Sequence, residues 1–131
     1  MKYFLSIVGC VLLLSACASA EKIVMYDEQS DKAREIKQQL EKTKEVEKAN
    51  VVEIDDEILV AVQTKPLNSF KERKTAKKLQ DKLEEKWPNY DILVSSDFKL
   101  YWETSKLIAE KDRQRVSEKV KELKKLAKEE S

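Results

Sequence analysis

The sequence is poor in the residues on which most enzyme chemistry depends. Its 131 residues contain no histidine, two cysteines and a single glycine. Without histidine, Ser-His-Asp and Cys-His catalysis are excluded, and so are zinc sites that combine histidine with cysteine. The glycine, Gly9, and one of the cysteines, Cys10, lie among the first ten residues. Glycine-rich phosphate loops and dinucleotide fingerprints are therefore also excluded from the rest of the chain.

The first residues have the pattern of a secretion signal. Lys2 gives a short positive start, and an apolar run follows at residues 4–14. This run is shorter than the roughly 20 residues of a transmembrane helix, and it is typical of the hydrophobic part of a signal peptide. Small residues then precede a cysteine in the pattern of a bacterial lipobox. The lipobox residues are Leu14, Ser15, Ala16 and Cys17.

We expect residues 1–16 to be removed and Cys17 to carry the lipid. One acyl chain anchors a protein only marginally, whereas the two or three chains of a lipoprotein cysteine, palmitate among them, hold it stably. No later apolar run is long enough to span a bilayer, so we expect a domain tethered to the outer face of a membrane. An ordinary secretion signal cut after Ala18 or Ala20 remains an alternative.

The charges of the mature chain are mixed and balanced. The whole chain has 26 basic and 25 acidic residues, and Lys2 leaves with the signal peptide. A nucleic-acid interface needs a net positive surface, so we predict no nucleic-acid partner. The same balance argues against an electrostatic grip on lipid headgroups. Interleaved charges of both signs indicate solvated helix faces.

Hydrophobic spacing predicts a helix and then a β-hairpin. Ser30 or Asp31 caps a first helix that extends to about Glu47. Its apolar stripe consists of Ala33, Ile36, Leu40 and Thr43. β-Branched runs at residues 51–54 and 58–62 flank two aspartates, which indicates a hairpin. The short apolar segment 23–26 is either an edge strand or part of a linker.

A second helix, a third strand and a long third helix follow. A capping box formed by Ser69 and Glu72 opens the second helix. Its stripe consists of Phe70, Ala76, Leu79, Leu83 and Trp87. Alternating Tyr90, Ile92 and Val94 predict a strand. Asp97 or Ser96 then caps the third helix, whose predicted stripe begins with Phe98, Trp102, Ser105 and Ala109.

This order predicts a small α+β two-layer sandwich. The elements run helix-strand-strand-helix-strand-helix, with a three-stranded sheet and helices on one face. If residues 23–26 pair as well, we expect a ferredoxin-like arrangement. We place the lipidated N-terminus and linker at residues 17–29, the domain at 30–110, and a charged C-terminal helix extension at 111–131.

Four parts of the sequence resemble the YhcN/YlaJ family of sporulation lipoproteins. They are the lipobox, the first helix, the hairpin at residues 51–62 with its EILVAVQ strand, and the segment KLEEKWPNYDILVSSDFKLYWE at residues 82–103. The resemblance covers roughly residues 30–110, and the short linker is similar to that of the YlaJ side of the family. It implies a lipid-anchored domain at the spore (forespore) membrane that supports germination or outgrowth. The family has no established active-site residues, so none are transferred.

Two short motifs have a chemical and a structural interpretation. The run Asp55-Asp56-Glu57 offers carboxylates to a hard cation, but it has no EF-hand spacing and fits a solvated turn better. The run Ser95-Ser96-Asp97 offers a serine nucleophile with Lys99 as its base, but it fits a helix cap better. We therefore predict no catalytic residues, no metal and no cofactor.

Aromatic residues and the C-terminal helix give two candidate interaction surfaces. We expect most of the aromatic group around the third strand to be core, with Tyr101 the best exposed candidate. That group is Trp87, Tyr90, Phe98, Tyr101 and Trp102. The C-terminal helix carries a coiled-coil-like seam that would hold a partner helix or a second copy, or else is part of a frayed extension. The seam is Val116, Val120, Leu123 and Ala127.

Three functions follow in decreasing order of support. The first is a non-enzymatic, lipid-tethered interaction or structural module. The second is a module that binds cell-wall peptidoglycan or peptide through a groove with Tyr90 or Tyr101. The third is an enzyme limited to carboxylate or lysine chemistry, for which no recognisable pair of carboxylates is present.

Overall fold

Four strands and four helices make up the part of the chain that a computed structural model describes, residues 22–27, 29–66 and 69–130. The predicted signal peptide and lipobox lie outside these residues. In chain order the elements are β1 (Ile23–Tyr26), α1 (Asp31–Lys42), β2 (Val46–Ile54), β3 (Glu57–Thr64), α2 (Ser69–Lys86), β4 (Asp91–Ser95), α3 (Phe98–Ile108) and α4 (Arg113–Glu130).

The described strands form one sheet in the order β1-β2-β3-β4. The outer pairs, β1 with β2 and β3 with β4, are parallel, and the central pair is an antiparallel hairpin. The predicted hairpin is confirmed, but the three-stranded sheet is wrong because residues 23–26 are a strand. The predicted α+β class is confirmed, and the chain order from β1 to β4 is the ferredoxin-like one expected if residues 23–26 pair, but the spatial order of the strands is not ferredoxin-like. Each strand here lies beside its neighbour in sequence, whereas a split βαβ fold interleaves them.

Helices cover both faces of the sheet, which corrects the prediction of helices on one face only. One hydrophobic cluster joins α1 and α2 to one face, and a second joins α3 and α4 to the other. The central strands supply both clusters because they are apolar at successive positions. Val60 faces the first cluster and Leu59 the second. Such near-continuous apolar runs are typical of strands that are buried on both sides.

The single long C-terminal helix is also corrected, because α3 and α4 are separate helices. An unbroken helix over residues 98–130 would be about 50 Å long, whereas four strands span only about 15–20 Å. The break at residues 109–112 returns the chain to the sheet. Asp112 caps the new helix by accepting a hydrogen bond from the backbone N–H of Gln114 at 3.0 Å. Thus α4 packs on the same domain rather than extending from it.

Local capping agrees with the sequence at the start of α1. The Ser30 hydroxyl accepts a hydrogen bond from the Ala33 N–H at 3.0 Å and begins α1 as predicted. The helix ends at Lys42 rather than near Glu47, because β2 already begins at Val46. The Ser69 side chain of the predicted capping box lies outside the described side chains.

Candidate functional site

The N-terminal ends of β1 and β2 and the C-terminal ends of β3 and β4 lie at the same end of the sheet. The strand pairing sets Val46 opposite Thr64 and Ala61 beside Ser95. Lys22 lies here too, since its carbonyl accepts a hydrogen bond from the Ala49 N–H at 3.0 Å. We call this the basic end. The chain enters the domain at the basic end, with Lys22 only five residues after Cys17.

A groove of about 700 Å³ lies between the end of α1 with the loop that follows it and residues 71–82 of α2. We call it the lysine groove, because six lysines and one carboxylate, Glu45, are among its lining residues. All six lysines are exposed. They are Lys42, Lys44, Lys71, Lys74, Lys78 and Lys82. The arrangement is a concentration of positive charge that can attract an anion.

The spacing of residues along α2 produces one wall of the lysine groove. Its lysines recur every three or four residues and therefore share one side of the helix. Ala76, Leu79 and Leu83 recur at the same interval on the side that packs on the sheet, and all three are buried. The amphipathic pattern that buries α2 is therefore also the pattern that aligns its lysines.

Large aromatic side chains are exposed where the sequence predicted core. Phe70 is 69% exposed, Phe98 65% and Trp102 57%. Phe70 lies in the first turn of α2, after β3, and Phe98 is the first residue of α3, after β4. Both helices start at the basic end. These rings are therefore displayed to solvent at, or one helical turn from, the end at which the chain enters.

The exposure of Phe98 and Trp102 results from the orientation of α3. Two stripes compete on this helix, and the one that faces the sheet is Leu100, Thr104 and Leu107, all buried. Buried Asn50 of β2 holds this orientation by donating to the Tyr101 carbonyl at 3.0 Å. Tyr101, predicted to be the best exposed aromatic, is instead half-buried against the second cluster. This stripe is hard to recognise in the sequence because a polar residue, Thr104, lies between its two leucines.

The opposite end of the sheet, which we call the acidic end, holds the β2–β3 turn, the finish of β1 and the start of β4. Its carboxylates include Asp27, Asp55, Asp56, Glu57 and Asp91. Helix α4 crosses the strands there and meets these groups in turn. Arg113 pairs with Asp27 at 3.6 Å, Ser117 donates to Asp55 at 2.9 Å, and Lys124 pairs with Glu57 and Asp91.

The charged residues of the two ends of the sheet are distributed less evenly than the net charge of the chain suggests. The sequence predicts an evenly mixed surface, yet the fold gathers many lysines at one end, beside the exposed carboxylates of Glu45 and Glu47, and a group of carboxylates at the other. The net charge of a chain does not reveal such a separation, because it depends on which loops and helix ends the topology brings together. A net charge near zero therefore does not exclude an electrostatic contact between the basic end and lipid headgroups.

The two motifs with a chemical interpretation have structural contacts. In the acidic run, Asp55 and Glu57 are engaged by α4, and within the described residues no three histidine, cysteine or acidic side chains are grouped to hold a metal ion. At the second motif, Asp97 accepts from the Lys99 N–H at 2.9 Å and caps α3. Ser95 accepts from the Asp97 N–H at 3.1 Å.

The predicted interaction surfaces are also used within the chain. Val116 and Val120 are fully buried and Leu123 is 4% exposed, all in the second cluster, with Ala127 packed against it. The prediction that this seam holds a partner helix is therefore corrected. The seam packs on the sheet of its own chain and is covered by it. Tyr90, the other candidate for a groove, packs against the first cluster, and the Lys32 ammonium lies 3.6 Å from its ring centroid.

Through the described ranges, no helix combines the length and apolarity needed to cross a membrane. A search of curated proteins and a search of solved structures each found no match to the chain. A family model described as "Sporulation lipoprotein YhcN/YlaJ" matches residues 20–128. This match covers most of the chain and includes all the described strands and nearly all of α4. The chain therefore belongs to the YhcN/YlaJ family of sporulation lipoproteins.

Proposed function

We propose that this lipoprotein is a non-enzymatic interaction module, held on the outer face of a spore membrane by lipid on Cys17, and that it supports germination or outgrowth. The family membership supports a role in sporulation. The lipobox supports the anchor. The lack of histidine and the structural use of Asp97 and Glu57 support a role without catalysis.

The main structural support for this proposal is the position at which the chain enters the domain. Lys22 lies at the basic end, and only five residues separate it from Cys17. An extended segment of five residues spans about 17 Å. Lipid on Cys17 would therefore hold the basic end near the membrane and leave the acidic end directed outward, where it is accessible to a partner.

The anchor is tested by substituting Cys17→Ala in a spore-forming host that lacks its own copy, with Cys10→Ala as the matched control. Fractionation of sporulating cells should find the wild type and the Cys10→Ala variant in the membrane fraction. After a high-salt wash, which screens electrostatic contacts but does not release a lipid anchor, Cys17→Ala should lack the lipid and leave that fraction. Retention of Cys17→Ala in the salt-washed membrane would contradict the proposed anchor.

The role in the spore cycle is tested in the same strains. Spores complemented with the wild type should lose optical density after a germinant at the normal rate, and spores with Cys17→Ala should respond as slowly as spores without the protein. Equal responses in all the strains would remove the germination role and leave the anchor standing.

A binding module for cell-wall peptidoglycan or peptide is a second candidate, which the exposed rings of Phe98 and Trp102 favour. They lie one helical turn apart on α3, and exposed aromatic faces provide a platform on which ligands can stack. Retention on purified peptidoglycan that Trp102→Ala abolishes would support this candidate. Equal recovery of both proteins in the unbound fraction would dismiss it.

A further inference from the structure

We infer that the basic end is a membrane-contact face, which lies on anionic lipid headgroups with Phe70 and Phe98 inserted at the interface. The inference deepens the proposed function, on which it rests, because it assigns the surface that the lipid-anchored domain turns toward its own bilayer. The face consists of the mouth of the lysine groove, the neighbouring lysines at the strand ends, and the two phenylalanines.

The short tether is the first reason for this assignment. The first strand starts only six residues after Cys17, and its start belongs to the basic end. A tether this short keeps the basic end at high effective concentration beside the bilayer, so even a weak attraction acts. The acidic end lies at the opposite end of the strands, farther along the chain from Cys17.

Charge complementarity is the second reason. Lys42 and Lys44 finish α1 and lead into β2, while Lys71 and Lys74 belong to the first two turns of α2. Lys65, also exposed, donates its backbone N–H to the Glu45 carbonyl at 2.9 Å, which sets it at the same end. A cluster of lysines near a bilayer is attracted to anionic headgroups. The acidic end would be repelled, so both ends favour one orientation.

The exposed phenylalanines are the third reason, and they are independent of charge. Phe70 and Phe98 follow β3 and β4, and these parallel strands finish at the basic end. An aromatic side chain beside lysines is typical of segments that lie in a membrane interface. Two such rings, one on each helix layer, are placed on either side of the end of the sheet.

The test uses the mature chain without lipid, residues 18–131, so that it does not depend on the anchor. This segment contains both core clusters entire, since their members lie between Ile23 and Ala127. Co-sedimentation is measured with vesicles of phosphatidylcholine alone and with vesicles that contain one part phosphatidylglycerol in about three. Circular dichroism confirms that each variant is folded.

Two matched triple variants separate a local face from overall charge. Lys44→Glu, Lys71→Glu and Lys74→Glu reverse the basic end. Lys111→Glu, Lys121→Glu and Lys125→Glu reverse exposed lysines elsewhere and change the net charge equally. Each lysine near an anionic surface contributes about fivefold to binding, so the first variant should weaken binding by about 100-fold or more. The second should remain within about fivefold of the wild type.

A second pair of variants tests the rings. Phe70→Ser should weaken vesicle binding by about tenfold, since it removes an apolar group that would enter the interface. Leu126→Ser, at a position 41% exposed on α4, should leave binding unchanged. The two variants remove exposed apolar side chains from different parts of the molecule, so a loss confined to the first is specific to the basic end.

Three results would overturn the inference. They are equal affinity for neutral and anionic vesicles, equal loss in the two triple variants, and binding to purified anionic cell-wall polymer without binding to vesicles. None of these results alters the fractionation of Cys17→Ala. Failure of the contact face is thereby distinguished from failure of the lipid anchor.

Discussion

At the scale of single residues, Lys124 connects the acidic end to α4. The side chain is only 4% exposed, and it donates to the Glu57 carboxylate and to the Asp91 backbone carbonyl. A buried ammonium destabilises the fold unless carboxylate or carbonyl partners compensate its charge. The poorly exposed carboxylate of Glu57 likewise needs the ammonium of Lys124. This group is therefore a structural ion pair, and it accounts for one acid of the run that the sequence offered as a cation site.

Removing Lys124 should destabilise the protein measurably. We expect Lys124→Met to lower the free energy of unfolding by about 2–3 kcal/mol, because Glu57 is left without its partner. Lys125→Met, at the exposed neighbouring position, should change it by less than about 0.5 kcal/mol. Urea denaturation checks both values. Equal effects of the two substitutions would contradict the ion pair.

The aromatic residues show what the sequence can and cannot decide at this scale. Trp87 was predicted on the inner stripe of the second helix and packs against the first cluster. The predicted stripe places Phe98 and Trp102 in the core, but both are exposed to solvent. A second stripe on the same helix, made of leucines and a threonine, faces the sheet instead. Spacing alone cannot choose between two stripes on one helix. The choice depends on contacts with β2, which lies about 50 residues earlier in the chain.

At the scale of elements, helix α4 gives the clearest contrast between two interpretations of one pattern. If the seam bound a partner, its apolar residues would contribute to association and not to the stability of the monomer. Because the seam packs on its own sheet, they should contribute to the stability of the fold. Leu123 and Leu126 allow a matched comparison, since they are the same residue type on one helix with 4% and 41% exposure.

We expect Leu123→Ala to lower the free energy of unfolding by about 2–4 kcal/mol, and Leu126→Ala by less than about 1 kcal/mol. Thermal denaturation at two protein concentrations gives both values and shows whether either depends on association. A Leu123→Ala variant with unchanged monomer stability and a lower oligomeric mass would restore the partner seam instead.

The break between α3 and α4 supports a second element-scale prediction. Asp112 satisfies a free N–H at the start of α4, so Asp112→Ala should destabilise the protein by about 1 kcal/mol. Asp112→Asn keeps an oxygen acceptor and should recover most of that loss. Chemical denaturation of the three proteins compares them. Equal stability of Asp112→Ala and wild type would contradict the cap.

Local patterns predicted α1, the hairpin, α2 and β4, because in each the apolar periodicity agrees with turn and cap residues. Local patterns do not decide whether residues 23–26 form a strand, since four apolar residues are equally compatible with a linker. The second helical layer was missed for a different reason. Helical periodicity continues on both sides of residues 109–112, and only the width of the sheet requires a break there.

At the scale of the whole molecule, the separation of charge is the feature most relevant to function. Composition predicts neutrality, and the fold places lysines from two helix ends and a strand end beside one another. Residues 42–45 and 71–82 meet only because the hairpin sets the start of β2 against the finish of β3. The same topology brings the N-terminal entry of the chain to this end, which links the anchor to the lysine groove.

The most direct test of the membrane-contact face is lysine labelling of the lipidated protein in its own membrane. An amine-reactive reagent is applied to membranes and to detergent-released protein, and mass spectrometry gives the ratio of the two labelling rates for each lysine. We predict protection by the membrane at Lys44 and Lys74 and none at Lys111, Lys121 and Lys125. Equal protection at all five positions, or protection confined to the last three, would show that the basic end does not face the membrane.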